Sequence, residues 1–151
     1  GSVGRGRWYT RSALGGCPPL VSPASYPLML LASFVVLAIA VVAGSVLMIF
    51  HLRAAEGVPR PPWPLPTFHA VLALAGLACL FIGLEGPPRG AASGTQSFGA
   101  IAAGFLAAAA LVGGRILFAR VRAKRRAELL IGFHATLAVF GFVLLIAYVF
   151  S

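Results

Sequence analysis

The chain has 151 residues, 60% of them hydrophobic and only 10% charged, with a mean hydropathy of +0.96. Soluble domains carry about 25% charged residues, so this composition excludes a water-exposed globule and describes a membrane protein. Twelve Lys and Arg stand against three Glu and no Asp, which excludes carboxylate dyads, EF-hand loops and Walker-type Mg²⁺ sites and ties the +9 charge to membrane topology, with no nucleic-acid partner expected.

In chain order, residues 1–27 are rich in Gly, Pro and Ser and lack the apolar run of a signal peptide. An irregular N-terminal arm is expected there. A hydrocarbon core about 30 Å thick needs about 20 apolar residues in a helix, and four stretches qualify: 28–52, 66–84, 98–119 and 129–150. The connections are short. The first is a loop with Pro59, Pro61, Pro62 and Pro64, the second a Gly/Ser/Pro loop over 85–96, the third a basic turn over 120–128. Short connections make sequential helices antiparallel. The expected fold is all-α, an integral membrane up-down four-helix bundle built from two repeated helical hairpins, with residues 28–151 as one transmembrane domain.

Orientation follows from the Lys/Arg bias of the loops. Arg53 and Arg60 in the first connection and Arg120, Arg122, Lys124, Arg125 and Arg126 in the third outweigh Arg89 and the N-terminal Arg5, Arg7 and Arg11. The first and third connections are therefore expected in the cytoplasm, with both termini on the non-cytoplasmic side of a cell inner membrane.

The second and fourth helices share a repeat. Phe68-His69-Ala70-Val71-Leu72-Ala73-Leu74-Ala75-Gly76 matches Phe133-His134-Ala135-Thr136-Leu137-Ala138-Val139-Phe140-Gly141 at Phe, His, Ala, Leu, Ala and Gly. The first and third helices correspond more weakly through Val42-Ala43-Gly44-Ser45 and Leu111-Val112-Gly113-Gly114, which sets His51 opposite Arg120. At 1.5 Å rise per residue, His69 and His134 lie at the same depth, roughly 24–26 Å from the non-cytoplasmic boundary. On each helix an Ala four residues on and a Gly seven residues on share the face of the His: Ala73 and Gly76, Ala138 and Gly141. This small-residue strip is expected to admit a flat ligand. Arg115 is the most intramembrane charge and therefore a candidate site residue, with snorkelling to the interface as its alternative role.

Two level, inward histidines above small residues resemble the bis-histidine haem sites of four-helix membrane b-type cytochromes. The resemblance covers the last three helices and rests on His69, His134, the residues beneath them and Arg115. It implies His69 and His134 as axial ligands of one haem b, Arg115 near a propionate, Gly76 and Gly141 beside the macrocycle, and electron transport as the role. The dihaem members carry a second His pair, which this chain lacks: its third histidine is His51. Two other readings stay open, a quinone or lipid site without haem and a purely structural subunit whose histidines bond between helices. The chain shows no nucleophile triad, metal-hydrolase motif or phosphate loop, and His51 is offset in depth from a tetrahedral zinc set with the other two. With no soluble domain and a third helix rich in Ala and Gly, an accessory subunit is expected, meeting other membrane subunits or a second copy of itself.

Overall fold

The computed structural model describes residues 22–57, 59, 61–87, 89–90, 92–122 and 127–151. It contains four long helices, α1 (Tyr26–Arg53), α2 (Pro64–Leu84), α3 (Phe98–Arg122) and α4 (Ala127–Val149), and no strand among the described residues. The expected N-terminal arm lies outside the described residues up to position 21, and so do residues 123–126 of the basic turn.

The helix boundaries have local causes. Pro27 and Pro64 stand in the first turns of α1 and α2, where a missing N–H costs no hydrogen bond and the fixed φ suits a helix. α1 runs into a single 3-10 turn, Ala54–Glu56, and stops at Gly57, whose φ of 82° only glycine adopts freely. The prolines at 59, 61 and 62 then keep the chain from re-entering a helix before Trp63.

All four helices are long and apolar enough to cross a membrane, so the protein is an integral membrane protein in contact with the lipid bilayer. The pattern of exposure agrees. On α1, Leu28, Leu31, Val35, Ile39, Val42, Val46 and Ile49 form one exposed stripe at helical spacing. On α4, Leu129, Phe133, Phe140 and Val143 form another. Large apolar side chains turned outward along whole helices are stable against acyl chains and unstable in water. The few hydroxyls satisfy themselves locally: Ser33 donates to the Leu30 carbonyl at 2.7 Å, Ser45 to Val41 at 2.9 Å and Thr136 to Gly132 at 2.9 Å. In lipid such back-bonding avoids an unpaired polar group.

α1 packs closely on α2 and α3 on α4, whereas α2 meets α3, and α1 meets α4, over less surface. Each close pair is antiparallel and interlocks every seventh residue, which keeps contacts on one face. In the first, Leu30 fills the space over Gly83, Leu37 that over Gly76, and His69 that over Gly44. In the second, Tyr148 covers Gly99, Leu106 covers Gly141, and His134 covers Gly113. Every layer is a large side chain against a glycine. The glycines let backbones approach closely, so that a Cβ added to Gly83 would lie 3.1 Å from the Leu30 nitrogen.

Contacts of Tyr26 with Gly86 and of Ser151 with Gly90 gather the start of α1, the α2–α3 loop and the end of α4 at one end of the bundle. The buried core occupies the half toward this terminal end. It joins Leu30, Leu37, Leu80, Ala102, Ala103, Leu106, Leu145 and Tyr148, and the α1–α4 seam there is closed by Phe34, stacked on Phe142 at 5.7 Å and edge-on to Phe150 at 5.4 Å. Full burial stops at Ala43 on α1, Gly76 on α2, Ala109 on α3 and Gly141 on α4. Beyond those positions, toward the end where the hairpins turn, the described residues are half-buried or exposed.

Candidate functional site

His69 and His134 project just beyond the edge of that core, each half-buried. Their ring centroids are 6.0 Å apart and their planes cross at 85°. One imidazole comes from each hairpin, at matching positions.

Each ring is fixed by the neighbouring helix of its own hairpin. The Nδ1 of His69 lies 2.9 Å from the carbonyl oxygen of Ala40, and that of His134 lies 2.8 Å from the carbonyl oxygen of Ala109. A carbonyl can only accept, so Nδ1 carries the proton in both rings and donates it. Nε2 is then the nitrogen with a lone pair in the neutral ring, the form in which imidazole ligates metals. Gly44 and Gly113, four residues after the two alanines, lie close to the rings: an added Cβ would come 3.0 Å from Cε1 of His69 and 2.9 Å from Cε1 of His134.

The pair can be tested against an iron centre. The rings meet edge to face at 6.0 Å, a spacing usual for an aromatic pair, and His69 and His134 are the two side chains that would ligate an iron there. The donor chemistry also fits, with each ring held through Nδ1 by a backbone carbonyl. Half-buried Ala73 and Ala138 stand one turn from the histidines, at the level where the hairpins are not sealed by buried residues.

The remaining sequence candidates take other places. Gly76 and Gly141 are buried and covered by Leu37 and Leu106. The strip expected to admit a flat ligand is thus filled at those two glycines by the partner helix of the same hairpin. Arg115 is exposed, and two residues from Gly113 it points about 200° away from the glycine face at 100° per residue. His51 is half-buried in the last turn of α1. Seven residues past Gly44, it is about 10 Å farther toward the hairpin end than the histidine pair. No group of three or more His, Cys, Asp or Glu able to hold a metal ion occurs among the described residues.

Sequence reading missed four participants: the Ala40 and Ala109 carbonyls, which have no side-chain signal, and Gly44 and Gly113. The glycines were visible as repeat positions, and the seven-residue series Leu30, Leu37, Gly44 and Gly99, Leu106, Gly113 would have placed them opposite the histidines. A shallow groove lined by Leu129, Gly132, Phe133, Thr136 and Leu137 opens on the exposed side of α4 and includes neither histidine. Comparison of the chain with protein-family models, with curated proteins and with solved structures finds no match.

Proposed function

We propose that this chain is a small integral membrane subunit that holds one b-type haem between His69 and His134 and serves electron transport within a larger membrane complex. The observation that carries the reading is the 6.0 Å centroid separation of two histidines whose Nδ1 protons are both committed to backbone carbonyls. A bound haem supplies one-electron chemistry at a potential tuned by its axial ligands and their hydrogen bonds. The chain's own residues commit each Nδ1 to a backbone carbonyl, which leaves Nε2 as the ligating nitrogen, and place the pair closer to the hairpin end than to the terminal end.

A subunit role draws on the outward face of α3. Ala100 and Gly104 are exposed, and nothing lies within 4 Å of a Cβ added to Gly104. Small residues facing outward are suited to close contact with another transmembrane helix, from another subunit or a second copy. The basic excess in the first and third connections supports a cytoplasmic hairpin end, with both termini on the non-cytoplasmic side of an inner membrane.

A second reading has its own observation. Each His–carbonyl bond already joins the two helices of one hairpin, as interhelical polar groups do in structural subunits. Visible absorption of the purified chain separates the two: a Soret band lost on replacing either histidine supports haem, and a colourless folded protein supports the structural role.

A further inference from the structure

We infer that Gly44 and Gly113 are positioning residues that, with the Ala40 and Ala109 carbonyls, hold each imidazole in the Nδ1–H tautomer and at a set rotation, presenting Nε2 as the donor atom. The inference deepens the haem reading and rests on His69 and His134 being the ligand pair, yet its geometry belongs to the protein alone.

Backbone conformation does not demand glycine at either position. Both lie inside helices and neither has a positive φ, and in a helix interior glycine is less favourable than alanine. Proximity to the rings supplies the reason. A Cβ on Gly44 would reach Cε1 of His69 at 3.0 Å and Nδ1 at 3.4 Å; one on Gly113 would reach Cε1 of His134 at 2.9 Å and Nδ1 at 3.2 Å. Those are the atoms beside the proton given to the carbonyl one turn back, so a methyl group there makes the ring give way on the side of its hydrogen bond. Seat and carbonyl recur in both hairpins with the same four-residue spacing, Ala40 to Gly44 and Ala109 to Gly113. The adjacent Gly114 has nothing within 4 Å of an added Cβ, which makes it a matched control on the same helix.

The test is nitrogen-15 NMR of the histidine side chains in the full chain without added ligand, in detergent micelles at a pH where the rings are neutral. Both His69 and His134 are expected as Nδ1-protonated tautomers with an unprotonated Nε2. Gly113→Ala is expected to shift His134 toward a tautomer mixture while His69 keeps its signals, Gly44→Ala to do the reverse, and Gly114→Ala to change neither. If either glycine variant fails to fold, a through-hydrogen-bond correlation from Nδ1 of His134 to the Ala109 carbonyl carbon in the unsubstituted protein takes its place, and its presence supports the seat. An Nε2-protonated tautomer at either histidine, the absence of that correlation, or a folded Gly113→Ala protein with His134 unchanged overturns the inference. A colourless protein that retains both Nδ1–H tautomers would remove the haem reading and leave the seat standing.

Discussion

The imidazoles of His69 and His134 stand 6.0 Å apart, centroid to centroid, with their planes crossed at 85°. Each Nδ1 faces a backbone carbonyl of the adjacent helix, Ala40 for His69 and Ala109 for His134. The chain thus brings two Nε2-bearing rings together from hairpins that each hold their own histidine.

Packing within a hairpin is directly testable. A Cβ on Gly76 would fall 2.6 Å from Leu37 Cγ, and one on Gly141 2.8 Å from Leu106 Cγ. Gly76→Ala and Gly141→Ala are each expected to destabilise the fold by about 1–3 kcal/mol through overpacking. Combining Gly76→Ala with Leu37→Ala relieves the clash, so the pair is expected to show a favourable coupling of at least about 0.5 kcal/mol. Gly104→Ala, which meets nothing within 4 Å, is expected to be neutral or stabilising, because alanine is the better helix former. Equilibrium unfolding in mixed micelles checks all four; strictly additive costs would contradict the interlocked layers.

The spans were legible in the sequence because hydrocarbon thickness and helical rise leave little freedom. The apolar stretches 28–52, 66–84, 98–119 and 129–150 fall within three residues of α1 to α4 at every boundary. The repeat that brings His69 and His134 to matching places in the two hairpins, 6.0 Å apart between ring centroids, was legible as well. What fills the strip below each histidine was not. The single-helix pattern of His69, Ala73 and Gly76 says which residues share a face, but the occupant of that face depends on pairing register with another helix, and Leu37 supplies it from α1. The hydrogen-bond acceptors were hidden more deeply, since Ala40 and Ala109 act through backbone oxygens that any residue would carry. Arg115 illustrates a different gap. Depth alone set it near the histidines, whereas its rotation about α3 leaves it exposed.

Association through α3 can be separated from folding. Ala103 is only 3% exposed and belongs to the core, so Ala103→Phe is expected to lower the amount of folded chain. Ala100 and Gly104 are exposed; Ala100→Phe and Gly104→Phe are expected to leave the helical fold intact and abolish a larger assembly extracted in mild detergent. Size-exclusion chromatography with light scattering reads both effects. A native species no larger than one 15.6 kDa chain in its micelle, unaffected by the outward substitutions, would contradict the subunit role.

Orientation is open to cysteine labelling in a background with Cys17 and Cys79 replaced. Arg60→Cys and Lys124→Cys are expected to resist an impermeant reagent applied to intact cells, while Gly94→Cys in the α2–α3 loop is expected to react. Lys and Arg in short loops are retained on the cytoplasmic side, and the reverse labelling pattern would invert the assignment.

The visible absorption spectrum of the full chain, expressed with ample haem supply and purified from membranes, tests the central proposal most directly. A Soret band and a reduced α-band are expected in the native protein, lost in His69→Ala and in His134→Ala and retained in His51→Ala. A folded native preparation without these bands, or one whose spectrum survives loss of either paired histidine, would contradict it.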